Sequence, residues 1–482
     1  MITLILSAYF GILIVLAVYG VHRIYITRSA LQGMRQPVSS EAPKEWPFVT
    51  IQLPLFNEKF VVDQLLEAAA AIDYPKERLE IQILDDSTDE TQAIIQHKLA
   101  QFSGDIPFVY RHRSIRTGYK AGALADGLAD AKGEFVAIFD ADFLPQPEFL
   151  KQVMGAFQDP QVGMVQTRWG HLNRDENVLT QVQALMLDAH FVLEHAGRYQ
   201  RGFFFNFNGT AGVWRKSAIL EAGGWQHDTL TEDLDLSYRA QLCGWKFVFL
   251  PHVVCPAELP SNMPAFKSQQ HRWAKGSIEV MLKLLPTIWR SNATWGQKLE
   301  ATFHLTGNMA YLLMVVNSLF FVIPSLFIRV QTDWYHLLIL DAPLFAMASI
   351  SFIYFYITAQ RLVGQSTGKA LRLVPALMAI GIGLGVNNAR AVLEALFRRR
   401  SGFIRTPKQG TSQPKLALAH YRVHPNLWTS LECVMALAYV AALAWAILHG
   451  WWASIPFLML FLNGFGAVGW GTLRAQWAPK AT

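Results

Sequence analysis

Five apolar runs constrain this chain more than any other feature. Residues 2–22, 303–328, 334–359, 430–449 and 451–470 each reach the length of about 20 residues that a helix needs to cross a bilayer. A backbone in lipid must satisfy its own hydrogen bonds, so these runs have to be helical. The first has no basic start and no small-residue cleavage site, and reads as an anchor, not a signal peptide. Residues 371–397 open as another apolar run, then break at Asn387 and Asn388 into NNARAVLEALFRRR. Arg361, Lys369 and Arg372 precede this segment, and Arg398, Arg399, Arg400, Arg405 and Lys408 follow it. Positive charge marks the cytoplasmic side, so the segment is expected to lie in the interface or to re-enter, its second half amphipathic. By the same rule Arg23, Arg28 and Arg35 place residues 23–302 in the cytoplasm, and five spans leave Arg474 and Lys480 on that side too. Asn308, Asn317 and Asn463 are polar positions inside spans, suited to a pathway or to helix–helix hydrogen bonds.

The net charge of +6 sits mostly beside these runs, which favours anionic lipid over nucleic acid as its partner. Cys243, Cys255 and Cys433 lack ligand spacing and read as core residues in a reducing compartment.

Between the first two runs the sequence alternates strands and helices. FVTIQLPLFNE (48–58) is an apolar strand entering a loop. Residues 59–71 fit a helix with Val61, Val62, Leu65 and Leu66 inward, and LEIQILDDSTDET (79–91) is a second strand ending in acids. Residues 122–131 fit a helix and 134–139 a third strand. This rhythm predicts an α/β domain over 45–260 with a mostly parallel sheet, whose ligands sit beyond the carboxyl ends of the strands. Membrane-surface helices over 261–300, spans within 303–359, an interfacial segment with a basic loop over 371–415 and spans within 430–471 complete the expected layout.

Four stretches carry candidate chemistry. In FVAIFDADFLP, Asp140 and Asp142 share a face if the strand continues. Two like charges there need a cation between them, and Mg²⁺ takes carboxylates together with phosphate oxygens; otherwise they are solvated turn acids. Asp85 and Asp86 end another strand, as acceptors for a nucleotide's hydroxyls or base, or as caps for the turn at Ser87 and Thr88. HDTLTEDLDL starts a helix after Thr229 or Thr231. Its Asp233 can serve as a general base or simply complement the helix dipole. In QQHRWAKGS, Gln269, Arg272 and Trp273 share one helix face. Arginine there suits phosphate and tryptophan a sugar ring, or the pair anchors the helix at the membrane surface.

The ordered set DD (85–86), DAD (140–142), TED (231–233) and QQHRW (269–273), followed by spans, resembles family 2 processive glycosyltransferases. AIDYPKERLEIQILDDSTDET, IRTGYKAGAL, FVAIFDADF, FNFNGTAGVWR and ELPSNMPAFKSQQHRW are similar to the plant-type cellulose-synthase-like mannan and glucan synthases, over roughly residues 48–410. The resemblance implies a glycosyltransferase-A-like, Rossmann-like domain. It implies that Asp85 and Asp86 hold the nucleotide of a sugar donor, that Asp140 and Asp142 bind Mg²⁺ or Mn²⁺ and through it the diphosphate, and that Lys120 lies near the phosphates. Asp233, with Glu232 beside it, is the implied catalytic base. Gln269, Arg272 and Trp273 would clamp the diphosphate and the acceptor end, and Asn208, Gly209 and Thr210 of FNGT would sit under the acceptor. FIRTPKQG (403–410) resembles a gating loop in which Phe403, Thr406 and Lys408 close over the donor, with Arg405 where valine is usual; a basic juxtamembrane loop is the alternative. Only a short tail follows Trp470, so the cyclic-dinucleotide-binding domain of bacterial cellulose synthases is not expected.

The implied reaction is inverting transfer of hexose from UDP-glucose or GDP-mannose into a β-linked glucan or mannan that crosses the membrane. Transfer of one sugar to a ceramide- or diacylglycerol-type lipid uses the same motifs. A receptor with a degenerate enzyme domain would have lost one of Asp140, Asp142 or Asp233, and all three are present. The expected setting is a bacterial cell membrane with the catalytic domain cytoplasmic, or a Golgi membrane in a eukaryote.

Overall fold

The computed structural model describes residues 2–33, 42–102, 107–331, 338–399, 402, 408, 410 and 427–476. Phe403 and Thr406 of the loop expected to gate the donor lie outside them.

Seven strands build one sheet: β1 (Val49–Leu55), β2 (Leu79–Asp85), β3 (Phe108–His112), β4 (Phe135–Ile138), β5 (Val162–His171), β6 (Gly212–Arg215) and β7 (Lys246–Ala257). Their order is β3-β2-β1-β4-β6-β5-β7. Only β6 runs antiparallel to its neighbours, β4 and β5; the other pairs are parallel. The expected α/β architecture is therefore what forms. Strand alternation explains the layering. Val49, Ile51 and Leu53 enter one apolar core with Leu65 and Leu66 of the helix Val62–Ala70. Thr50 and Gln52 turn to the other face, where they bond Glu80 (2.8 Å) and Gln82 (3.0 Å) of β2.

The second core runs on into the membrane helices. Ile26 and Ala30 of the first helix, Ile2–Gly33, and Phe355 and Ala359 of the helix Leu338–Leu362 belong to the same apolar cluster as Leu185, Phe191 and Phe207. The sheet domain is thus packed directly onto these long apolar helices.

Among the described residues six helices are long and apolar enough to cross a membrane: Ile2–Gly33, Met309–Ile328, Ile339–Leu362, Thr367–Leu396, Trp428–Leu448 and Trp452–Arg474. The addition to the five expected is Thr367–Leu396, the segment anticipated as interfacial or re-entrant. It is one continuous helix and the most buried of the six. Its polar break does not end it because protein supplies the partners: the Asn387 side-chain amide donates to the Lys267 carbonyl at 2.9 Å. Close packing on the last helix holds it. A Cβ on Gly383 would stand 2.2 Å from the Gly464 carbonyl oxygen, so only glycine permits this crossing.

The helix Met263–Arg290 carries the QQHRW stretch. Its apolar residues Val280 and Leu284 pack with Tyr238, Ala301 and Leu305. Of the three cysteines expected in the core, Cys243 is exposed.

Candidate active site

The cavity opens at the carboxyl ends of β1, β2 and β4, where the strand order reverses, the usual ligand position in such sheets. Asp140 and Asp142 both line it. Their convergence does not come from the pleat, because β4 stops at Ile138 and a turn closes with the Phe143 amide donating to the Asp140 carbonyl at 3.0 Å. Each carboxylate faces an ammonium group: Lys120 pairs with Asp140, and Lys408 with Asp142. Burial opposes the charge on both lysines, yet the acids around them hold both above the usual lysine range. Two convergent carboxylates that already attract cations fit a divalent metal ion.

Lys120 also donates to the Gly209 carbonyl at 2.9 Å, tying the donor side to FNGT. Gly209 has a φ of +82°, and a Cβ there would stand 3.1 Å from Asp233 Oδ2. Asp233 is the second residue of the helix Glu232–Leu242 and accepts the Leu234 amide at 2.9 Å. Withdrawal from water, reinforced by the Glu232 carboxylate, pushes Asp233 up to about 7. Burial also raises Glu232, which Lys120 and Arg272 partly offset.

Gln269, Arg272 and Trp273 line the same cavity, as their shared helix face requires. Asn208 and Gly209 line it as well; Thr210 stands behind, its hydroxyl accepting the Asp140 amide at 2.9 Å.

The paired acids at the end of β2 divide. Asp86 lines the cavity, while Asp85 is fully buried, bonded to the Ser87 amide (2.9 Å) and the Tyr110 hydroxyl (2.8 Å). Asp85 closes β2 with its side chain turned into the protein, and Asp86 is the first residue beyond the strand, facing the cavity. Sequence reasoning missed what surrounds Asp86. Arg113 grips it with two bonds of 2.7 Å, and the Arg116 guanidinium lies 3.5 Å from the centre of the Phe56 ring. It also missed Trp169 and His171, which line the opposite wall; Trp169 stands 6.4 Å from Trp273. The basic run RHRSIR (111–116) was a visible signal for the arginines, whereas nothing periodic marks Trp169 or His171.

A mostly parallel sheet with acids at its switch point and a half-buried carboxylate across the same cavity is a glycosyltransferase fold of the GT-A kind. Residues 47–276 match the family described as glycosyltransferase like family 2, and this part of the chain is a domain of that family. The chain is homologous to curated plant enzymes. It is 43% identical over 252 residues to glucomannan 4-beta-mannosyltransferase 2 of Arabidopsis thaliana, covering 51% of this chain and 47% of that protein. It is 37% identical over 320 residues to glucomannan 4-beta-mannosyltransferase 1 of Oryza sativa subsp. japonica, covering 64% and 58%. The match thus spans about half the length of these relatives. A solved mannosyltransferase from Pyrobaculum calidifontis, in complex with GDP-Man and Mn²⁺, shares the fold with a TM-score of 0.52 at 20% identity, covering 83% of this chain and 99% of that one.

Proposed function

We propose that this chain transfers mannose from GDP-mannose onto a growing β-linked mannan at a membrane, with UDP-glucose as the alternative donor. The observation that carries the reading is that one cavity gathers Asp140 and Asp142, the raised Asp233 carboxyl and the face of Gln269, Arg272 and Trp273. The names of the plant relatives supply the sugar and the linkage.

Asp140 and Asp142 would hold Mg²⁺ or Mn²⁺, which when bound supplies positive charge to the leaving diphosphate. Asp86 with Arg113, and the Arg116–Phe56 shelf, bind the nucleotide; Asp85 braces that turn from behind. Lys120, Arg272 and Lys408 neutralise the phosphates, Gln269 hydrogen-bonds them, and Trp273 carries the acceptor ring. Asp233 takes the proton of the attacking hydroxyl, and Glu232 keeps its carboxyl basic enough to do so. Attack from the face opposite the diphosphate inverts the anomeric centre. The domain lies on the cytoplasmic side, and the membrane helices pass the polymer across.

A base must be deprotonated to act, so kcat/KM should rise with pH through an acid limb near the Asp233 value of about 7. A flat profile between about pH 5 and 8 would remove Asp233 from this role.

The proposal is tested with purified protein in proteoliposomes, offered radiolabelled GDP-mannose and UDP-glucose separately with Mn²⁺. Long polymer from GDP-mannose, cut by a β-mannanase and abolished by EDTA, is the expected product. Label confined to an organic-extractable lipid would instead identify a lipid glycosyltransferase.

A further inference from the structure

The wall behind FNGT contains a device that the reaction above leaves unused. Residues His190–His195 form a π-helical turn, a wide and uncommon conformation that tends to mark functional places. Within it His190 Nδ1 lies 2.8 Å from Glu194 Oε2. The other ring nitrogen, Nε2, lies 3.0 Å from the side-chain nitrogen of Asn208. The backbone of Asn208 is pinned separately, its amide donating to Gln166 Oε1 at 2.9 Å. Its remaining side-chain atom, Oδ1, is buried without a partner, on a residue that lines the cavity beside Gly209 and Asp233.

The donor and acceptor roles in this chain follow from one end. A carboxylate only accepts, so His190 Nδ1 carries the proton and gives it to Glu194. The structure turns the Asn208 NH₂ group toward Nε2, which therefore accepts through its lone pair. The amide oxygen is then left to the cavity. The charge of the half-buried Glu194 that starts the chain is secured: the His190 hydrogen bond and the nearby guanidinium of Arg198 hold it well below the usual carboxylate range.

We propose that Glu194 and His190 are positioning residues that fix Asn208 as a hydrogen-bond acceptor for a hydroxyl of the acceptor sugar. The ligand class is a polyol presenting an O–H donor next to the attacking hydroxyl. This inference rests on the reading of the cavity as a glycosyl-transfer site. Without the carboxylate the tautomer is no longer dictated. In Glu194→Gln the new amide can donate to Nδ1. Nε2 then carries the proton, Asn208 flips to accept it, and the NH₂ group faces the sugar.

The test uses the full-length protein with GDP-mannose and β-1,4-linked mannooligosaccharides as soluble acceptors. Glu194→Gln should raise the acceptor KM about ten- to hundredfold, the effect of one unmet buried hydrogen bond, and leave the donor KM unchanged. Adding Asn208→Asp should restore the acceptor KM, because one aspartate oxygen accepts from Nε2–H and the other again faces the hydroxyl. An unchanged acceptor KM in Glu194→Gln would overturn the proposal. So would a loss affecting donor and acceptor alike that Asn208→Asp does not rescue, since that marks a merely structural role. If the wild type transfers no mannose, the functional reading fails by itself. The positioning claim is then decided by nitrogen-15 spectra of histidine-labelled protein, with His190 assigned by difference against His190→Gln. The Nδ1–H tautomer in the wild type and the Nε2–H tautomer in Glu194→Gln are expected; the same tautomer in both overturns it.

Discussion

Asp233→Asn is expected to lower sugar transfer by about a hundred- to ten-thousandfold, the range that a positioned general base contributes, with no measurable change in donor affinity. The substitution is isosteric and keeps the oxygen that accepts the Leu234 amide. It removes only the ability to take a proton. Donor binding is assigned to other groups of the cavity, Asp86, Lys120, Asp140 and Arg272. The separation can be checked by titrating GDP-mannose against tryptophan fluorescence in the presence of Mn²⁺, and by assaying transfer with labelled donor in parallel. Retained transfer would leave Glu232 as the remaining carboxylate on that wall. Loss of donor affinity would mean that Asp233 acts on the sugar donor rather than on the acceptor.

Arg198→Met is expected to destabilise the protein by about 3–5 kcal/mol, the usual consequence of leaving buried charge without its partner. Arg198 is buried, bonds Glu300 at 2.9 Å and stands 3.9 Å from Glu194. Glu300 is equally buried and also holds His22 of the first membrane helix at 2.6 Å. The pair therefore joins the catalytic domain to two helices near the membrane. Burial alone would raise the Glu300 carboxyl, yet the His22 hydrogen bond and Arg198 bring it below its ordinary value. The sign of the pH dependence follows. A carboxyl depressed in the folded state contributes stability above its unfolded pKa of about 4.3, and that contribution fades as pH falls through the lower folded value. Thermal unfolding in detergent reads the loss. The double variant Arg198→Met with Glu300→Gln should lose less than the sum of the singles, because neither charge is then stranded. Strict additivity would show that the two residues do not act as a pair.

Much of this was readable one residue at a time. The strand ends, the helix beginning at Thr231 and the single face carrying Gln269, Arg272 and Trp273 depend on periodicities of two and 3.6 residues, which neighbouring residues encode. Span lengths depend on bilayer thickness, so they are legible from composition alone. The domain of the glycosyltransferase family was visible in the ordered acids for the same reason, since each motif is local. Other features depend on residues far apart in the chain, and only the tertiary structure decided them. The resemblance put Lys120 and Lys408 near the donor, but that Lys120 meets Asp140, that Lys408 meets Asp142, or that His190 meets Asn208 is written in no local pattern. Charges and lone pairs are satisfied by whichever group folding brings within about 3 Å, and that group is set by the packing of whole elements. The division of Asp85 from Asp86 lies between the two cases: the end of the strand between them was legible, and the packing of β2 against Tyr110 turned Asp85 inward. The continuous helix Thr367–Leu396 was decided the same way. Its asparagine side chains would be costly facing lipid, and they are stable here because protein groups receive them, the Lys267 carbonyl for Asn387 and the Asn387 amide for Asn388.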